Sequence, residues 1–300
     1  MDILGLGMSL MDTIHLVDEF PRECGVTEVR DSITMGGGPV PTALCAASRL
    51  GAATSMIDRV GDDWRSDLIV RDYEEYGVDL SLFSQESGRI SSLGIILVRK
   101  TDGERHIIFQ QGDATPLSAQ ELPIQALKQC RILHLNGRHW PACLEAAKMV
   151  RSAGGVVSFD GGANRFDPKL KDLLPFVDVL IVARDFAEKL YGSNEHEIQL
   201  SALANDGAGI VGITDGMRGS WFRSSDGASF HQPAFEIEGV VDSTGCGDVF
   251  HGAFLWALNR GEIWEKCAEF ASAAAALNAT GLGGRGHIPS ALEVRRLISS

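Results

Sequence analysis

Short apolar runs alternate along the chain with longer segments whose apolar residues recur at helical spacing. The runs predict strands at 3–7, 54–60, 131–136, 155–160, 178–182 and 209–214. The longer segments predict helices at 40–50, 64–76, 141–153, 184–191, 195–205, 247–260, 262–279 and 290–298. Strand and helix alternation is typical of βαβ units, so we expect an α/β fold with a doubly wound, mainly parallel sheet. No repeat or low-complexity linker divides the sequence, which predicts a single domain over 1–300.

Two segments depart from this rhythm. In 91–111, two apolar runs flank Asp102-Gly103, a pattern that favours a β-hairpin. In 13–35, shorter apolar stretches surround turn residues at Pro21 and Gly25. We expect these segments to form a small β-sheet that serves as a lid over a site or as a dimer interface. An extension of the main sheet's edge is the alternative.

The stretch Asp242-Ser243-Thr244-Gly245-Cys246-Gly247-Asp248 lies between a strand predicted at 235–241 and the helix at 247–260. A glycine-rich turn at a helix start leaves backbone N–H groups free to bind an anion. Asp248 falls in the first helical turn beside that anion, where a carboxylate suits proton acceptance from an attacking hydroxyl. The alternative is an aspartate that only stabilises the helix start.

Composition excludes several classes of function. Forty acidic against 27 basic residues give a net charge of −13, so neither a nucleic acid nor a membrane surface is expected as a partner. The six cysteines include no Cys-x-x-Cys pair, which disfavours a zinc site and a disulfide framework and fits a cytoplasmic protein. A dinucleotide fingerprint beginning at Gly5-x-Gly7 fails at Leu10, and no Walker-type phosphate loop occurs.

Two motifs resemble those of the PfkB (ribokinase-like) family of carbohydrate kinases. Asp242–Asp248 resembles the C-terminal signature Asp-Thr-x-Gly-Ala-Gly-Asp, with Ser243 and Cys246 as departures. Gly36-Gly37-Gly38 and the helix after it, with 58–63, resemble the N-terminal signature. The resemblance spans the chain, which is identified as a member. It implies a doubly wound fold with a β lid, and a kinase that moves the γ-phosphate of ATP to a primary hydroxyl of a ketose or related sugar.

The resemblance also implies roles for individual residues. Asp248 would be the catalytic base, and the backbone amides of Gly245, Cys246 and Gly247 would hold the transferred phosphoryl group. The sugar would be bound by Asp12, at the end of the first strand, and by Gly37, Gly38 and Arg138. The nucleotide would be bound by Thr214, Gly216, Gly219, Asn278 and Gly281. For Arg138 a surface arginine capping a loop is the alternative, and for 274–284 a closely packed Ala-rich helix.

Cofactors and partners follow from the same resemblance. It implies ATP and Mg²⁺, allows a monovalent cation such as K⁺, and suggests a homodimer formed through the lid. The metal ligands are not identified, because Ala183-Arg184-Asp185-Phe186 replaces the Asn-x-x-Glu that many members use. Asp185 or Glu188 could substitute for it.

Other departures bear on the substrate. Pro41 stands where many members have a sugar-contacting Asn. Parts of the chain resemble ketohexokinases and bacterial sulfofructose kinase, but Val26 and Phe109 replace two of the three residues expected to grip a sulfonate. A neutral ketose is therefore favoured. The alternatives are a sulfonated ketose, a nucleoside or riboside, and a sugar-binding regulator that has kept the kinase fold.

Overall fold

The computed structural model describes residues 1–22, 24–224 and 226–300. Glu23, inside the predicted 13–35 segment, lies outside the described residues. The strands are β1 Ile3–Leu6, β2 Leu10–Val17, β3 Val29–Gly37, β4 Thr54–Gly61, β5 Phe83–Glu86, β6 Ser92–Arg99, β7 Arg105–Gln110, β8 Ile132–Leu135, β9 Val156–Gly161, β10 Val179–Ala183, β11 Ile210–Thr214, β12 Ser220–Ser224 and β13 Ser229–Gln232. The α-helices are α1 Pro39–Arg49, α2 Trp64–Tyr76, α3 Ile124–Gln129, α4 Ala142–Ser152, α5 Arg184–Tyr191, α6 His196–Asn205, α7 Cys246–Asn259, α8 Trp264–Asn278 and α9 Ala291–Ile298. Short 3₁₀ turns lie at Ala119–Glu121, Pro168–Asp172, Leu174–Phe176 and Gly216–Arg218.

The main sheet has nine strands in the order β13-β12-β11-β10-β9-β8-β1-β4-β5. The pairs from β11 through β1 to β5 are parallel, and β12 and β13 add an antiparallel edge. The predicted α/β class with a mainly parallel sheet is confirmed, and all six predicted strands lie in this sheet. The sequence pattern missed β5, β12 and β13, which are short strands: β5 and β13 form the two edges of the sheet, and β12 lies next to β13.

Alternate residues of the central strands supply two cores, one on each face of the main sheet. In β10, Ile181 packs with α1, α7 and α8, whereas Leu180 and Val182 pack with α4 and α5. This alternation follows from the two-residue period of a strand, and both faces are apolar because helices cover both. The eight predicted helices are all present, and among the α-helices of the described residues the pattern missed α3.

A second sheet of four strands, in the order β3-β2-β6-β7, is formed by the two segments that depart from the βα rhythm. β6 and β7 form the predicted antiparallel hairpin around Asp102-Gly103. The expectation for Asp12 was wrong in one respect: it lies inside β2 of this second sheet, not at the end of the first strand. The chain leaves β1 at Leu6 and enters the second sheet at Leu10. Asp12 therefore lies beyond the carboxyl end of β1.

The strand predicted at 235–241 is not formed. Phe235, Ile237 and Val240 line a cleft instead, and Gly239 takes a φ of +77° that a regular strand does not accommodate. At the end of the segment, the Val241 N–H donates to the Ala279 carbonyl at 2.8 Å rather than to a neighbouring strand. The alternating pattern therefore reflects one wall of a cleft and not pairing in a sheet.

The loop after α8 ties the second sheet to the helical layer through Arg285, which is 5% exposed. Its guanidinium forms an ion pair with Asp72 of α2 and donates from Nε to Thr42 Oγ1 of α1 at 3.2 Å. Its backbone N–H lies 3.4 Å from the sulfur of Met35 in β3. One residue near the end of the chain thus joins three N-terminal elements.

Candidate active site

A cleft of about 1520 Å³ lies where the carboxyl ends of the parallel strands face the second sheet. Residues that end or follow successive strands line it: Met8, Asn136, Asp160, Ala183 and Thr214. From β1 the chain proceeds to β4 and β5 on one side of the sheet, and it later crosses to β8 on the other side of β1. Such a reversal opens a crevice that doubly wound folds use for ligands. The volume is sufficient for two small ligands side by side.

The glycine turn before α7 is held in place by Asp242, which is completely buried. Its Oδ1 accepts from the N–H of Thr244 at 2.8 Å and from its hydroxyl at 2.7 Å, and its Oδ2 accepts from the N–H of Gly283 at 2.9 Å. Gly245 caps the helix with a φ of +71°, and a Cβ there would collide with the backbone of Gly284. The turn is therefore fixed before any ligand arrives.

This geometry leaves backbone donors available at the start of α7. Within the described ranges, the N–H groups of Gly245 and Gly247 make no hydrogen bond, and that of Cys246 reaches the Ser243 carbonyl only at 3.4 Å. All three residues line the cleft. Burial raises the pKa of the Cys246 thiol to about 12, so the side chain stays neutral and only its amide can serve an anion.

Asp248 lines the cleft in the first turn of α7, as predicted from its position in the sequence. Burial raises the pKa of its carboxyl to about 6, while the charge of Arg165 acts in the opposite direction. A carboxylate with a pKa near neutrality is ionised at pH 7 and still basic enough to share a proton with a reacting hydroxyl.

Asp12 faces the same cleft from the second sheet and is 9% exposed. Burial raises the pKa of its carboxyl to about 7. Gly37 on β3 and Gly94 on β6 make room for it, because a Cβ at either position would collide with the Asp12 carboxylate. Gly38 lines the cleft itself, whereas Gly37 does not line it and instead leaves room for the Asp12 carboxylate.

The expected nucleotide residues divide into two groups. Thr214, Gly216 and Gly219 line the cleft, where the Asp215 N–H donates to the Gly219 carbonyl at 2.9 Å and closes the turn. Asn278 does not reach the cleft: it is completely buried, and its Nδ2 donates to the carbonyls of Thr244 and Gly284. Gly281 packs against the backbone of Gly286. These two residues support the glycine turn, and Ala275, Ala276 and Ala279 form the adjoining cleft wall.

Arg138 lines the cleft after β8, which disfavours its reading as a loop cap. Arg165, after β9, was not singled out in the sequence, and its guanidinium lies 3.7 Å from Asp160 Oδ2. Arg105 of β7 was missed as well. Its Nη1 donates to Ser243 Oγ at 2.9 Å, so the second sheet contacts the glycine turn directly.

A buried polar cluster behind Asp248 was also missed. His251, one turn further along α7, places Nε2 3.3 Å from Asp160 Oδ1, and its ring centroid lies 5.3 Å from that of His134 on β8. Burial opposes ionisation of Asp160, but the charges of His251 and Arg165 outweigh it and lower the pKa of that carboxyl. Burial lowers the pKa of His134 to about 3, so this imidazole is neutral. The sequence feature that could have indicated this cluster was His251, a histidine among the apolar residues of the helix predicted at 247–260.

None of the described helices combines the length and the apolar character needed to cross a membrane.

Comparisons with known proteins agree with this architecture. A family model described as pfkB family carbohydrate kinase matches residues 2–291. A nucleoside kinase from Methanothermobacter thermautotrophicus is 28% identical, over 96% of this chain and 92% of its own length. An ATP-dependent ribose-1-phosphate kinase from Halopiger xanaduensis is 29% identical, over 94% and 93%. The crystal structure of ribokinase from Thermotoga maritima superposes with a TM-score of 0.86 at 26% identity, over 100% of this chain and 99% of its own.

Proposed function

The chain belongs to the pfkB family of carbohydrate kinases, and we propose that it transfers the γ-phosphate of ATP to a primary hydroxyl of a ketose or related small sugar. The chain is a sugar or nucleoside kinase, a phosphotransferase with an alcohol as acceptor. ATP as the donor is supported by the similarity to the ATP-dependent ribose-1-phosphate kinase from Halopiger xanaduensis.

The observation that carries the proposal is Asp248 beside the unbonded amides of Gly245 and Gly247, inside one cleft. Asp248 takes the proton of the acceptor hydroxyl as its oxygen attacks the γ-phosphorus. The new O–P bond forms, the bond from the γ-phosphorus to the bridging oxygen breaks, and ADP leaves. The amides of the turn, with that of Cys246, stabilise charge on the moving phosphoryl group. A positioned base contributes about 10²–10⁴-fold.

Substrate placement follows from the two sides of the cleft. Asp12 and Gly38 lie on the side of the second sheet and are proposed to hold the sugar, together with Arg138. A carboxyl group with a pKa of about 7 can both accept and donate hydrogen bonds to hydroxyls. Thr214, Gly216 and Gly219 are proposed to contact the nucleotide. Asn278 and Gly281 act on it only through the turn and loop that they support.

The donor set of the cleft fits Mg²⁺. Asp185 and Glu188 of α5 line it, and carboxylate oxygens are the protein ligands that Mg²⁺ prefers. In the parts of the chain that the structure describes, no group of three His, Cys, Asp or Glu residues could hold a metal alone. The phosphates of ATP and water would therefore complete its coordination, and the ion would neutralise phosphate charge. A monovalent cation such as K⁺ remains part of the proposal on family grounds.

A homodimer through the second sheet is also proposed. Its strands expose large apolar side chains, each 41–52% exposed: Val29, Ile33, Ile107, Ile108 and Phe109. An apolar surface of this kind on a small sheet favours burial against another protein surface. A second copy supplies a self-complementary partner.

The test is sugar-dependent release of ADP from ATP across ketoses, aldoses and nucleosides. The proposal expects turnover with at least one ketose or related sugar. Turnover confined to nucleosides would support the second candidate, a nucleoside kinase, which the relative from Methanothermobacter thermautotrophicus favours. Binding of a sugar with no ADP release under any condition would instead identify a regulator that has kept the fold.

A further inference from the structure

Residues 7–9 link β1 of the main sheet to β2 of the second sheet, and hydrogen bonds hold this linker at both ends. The Gly7 carbonyl accepts from His139 Nε2 at 3.0 Å. The Ser9 N–H donates to Asp58 Oδ2. Asp58 lies on β4, and His139 lies in the loop after β8. The path of the chain from one sheet to the other is therefore fixed by two side chains that are distant from the linker in the sequence.

The two residues that hold the linker also hold each other. His139 Nε2 lies 2.6 Å from Asp58 Oδ1, which accepts from the Arg59 N–H at 2.7 Å as well. His139 Nδ1 accepts from the Leu117 N–H at 3.0 Å. The ring proton therefore lies on Nε2, where Asp58 and the Gly7 carbonyl share it. The imidazole is thus fixed in one tautomer and one orientation.

These contacts are buried, since the side chain of Asp58 is 1% exposed and that of His139 is 9% exposed. A buried carboxylate destabilises a protein unless hydrogen bonds satisfy it, and here three N–H donors do so. The Ser9 hydroxyl adds a further contact, because it lies 2.8 Å from the Tyr73 hydroxyl on α2. Among the described residues that line the cleft, neither Asp58 nor His139 is present. Any effect on a substrate must therefore pass through the linker or through the loop that carries His139.

The linker leads directly to the sugar side of the cleft. Asp12 follows Ser9 by three residues. A strand rises about 3.3 Å per residue, so Asp12 lies about 10 Å from the N–H that Asp58 holds. Because β2 is paired with β3 on one side and β6 on the other, a shift at its start moves Asp12 with the strand.

We propose that Asp58 and His139 are positioning residues, which fix linker 7–9 and thereby the place of Asp12 relative to Asp248. This inference rests on the proposed kinase function and adds two residues to it. The acceptor has to meet both the carboxyl group that binds it and the one that takes its proton. A misplacement of about 1 Å can lower the rate of such a positioned reaction about 10²-fold.

Two substitutions of His139 separate the linker from the loop. In His139→Gln, the amide reaches the position of Nε2 and can donate to Asp58 and Gly7, but no acceptor is left for the Leu117 N–H. In His139→Asn, the amide reaches the position of Nδ1 and can accept from Leu117, but no donor is left for the linker. We therefore expect His139→Asn to raise the KM of the acceptor about 10–100-fold, and His139→Gln to stay within about threefold of the unmodified protein.

The measurements use the full-length protein with ATP, Mg²⁺ and whichever of fructose, ribose and adenosine gives the highest kcat/KM. The Kd of ATP, measured by calorimetry without acceptor, should be the same in both variants as in the unmodified protein. Asp58→Asn leaves one oxygen for donors on two sides, so it should raise the acceptor KM and speed deuterium exchange of the amides in 7–10. His15→Asn is the matched control, because His15 lies on β2 and its ring bonds to Ser32 Oγ on β3.

Equal losses of acceptor affinity in His139→Asn and His139→Gln would overturn the inference, because the linker contact would then not be the one that matters. A rise in the Kd of ATP in step with the rise in acceptor KM and a fall in Tm would reduce both residues to a structural role and overturn it too. If the unmodified protein releases no ADP with any acceptor, the proposed function fails, but the hold on the linker is still tested. Exchange in 7–10 that is unchanged in Asp58→Asn would then overturn it.

Discussion

Substituting Asn for Asp248 exchanges a carboxylate for a neutral amide of similar shape in the first turn of α7. If this carboxylate accepts the proton of the acceptor hydroxyl, kcat should fall about 10²–10⁴-fold. The KM values of ATP and sugar should change little, because the amides of the glycine turn and the sides of the cleft are untouched. In the unmodified protein, kcat should fall about tenfold per pH unit below about 6, since protonated Asp248 cannot act as a base.

The same substitution should stabilise the protein at neutral pH. Burial raises the pKa of Asp248 from 3.8 to about 6, so the folded state favours the protonated, uncharged carboxyl. Ionisation above pH 6 therefore costs folding free energy, by at most about 3 kcal/mol from the two pKa values. Contact with solvent in the cleft makes this an upper limit. The increase in the free energy of unfolding caused by Asp248→Asn should therefore diminish as the pH falls from about 6 towards 4.

Two measurements test this combination. Coupled assays of ADP release give kcat and KM from pH 5 to pH 8, and urea unfolding gives stability over the same range. Asp67→Asn is the matched control: Asp67 is also a first-turn aspartate, in α2, and it is exposed and does not line the cleft. Only Asp248→Asn should lose activity while gaining stability.

Sugar-dependent ADP release that is undiminished in Asp248→Asn would refute its role as the base. If Asp248→Asn is inactive but markedly less stable at pH 7, the argument that the ionised Asp248 carboxylate destabilises the folded protein would be wrong.

Further predictions concern the turn, the buried ion pair and the second sheet. Gly245→Ala should lower the free energy of unfolding by at least about 1–2 kcal/mol, because φ is +71° and the new Cβ would collide with the backbone of Gly284. At Gly247 a Cβ would meet no atom within 4 Å, so Gly247→Ala should keep the Tm of the protein but raise the KM of ATP. Asp72→Ala leaves the buried Arg285 unpaired and should cost about 3–5 kcal/mol in urea unfolding; a loss below 1 kcal/mol would contradict this. Ile108→Glu should shift sedimentation from dimer to monomer with an unchanged Tm, and the exposed Ile124→Glu, on α3, should not; a monomer before substitution would exclude the proposed dimer.

The main sheet, its two helical layers and the hairpin around Asp102-Gly103 could be predicted because each rests on local periodicity. The glycine turn and Asp248 could be predicted for a related reason: the residues that act together there are consecutive in the sequence. The alternation at 235–241 misled because a cleft wall with one side against protein has the same two-residue period as a half-buried strand.

The remaining parts of the cleft depend on contacts between distant segments. Arg138 follows β8, Arg165 follows β9 and Arg105 begins β7, and nothing in their neighbouring residues indicates that all three line one cleft. Asn278 was expected at the nucleotide from the family resemblance, but helical periodicity alone does not say which side of α8 faces the cleft. Sequence therefore located the glycine turn and Asp248 better than the charged residues that distant segments bring to the same cleft.

The contacts of Arg285 link segments that are far apart in the sequence. Its partners Met35, Thr42 and Asp72 lie 250, 243 and 213 residues upstream of it. Contacts across such long stretches of chain form slowly, because closing the intervening loop costs conformational entropy. The second sheet should therefore gain this connection to α1 and α2 late in folding, after the loop that follows α8 has packed against them.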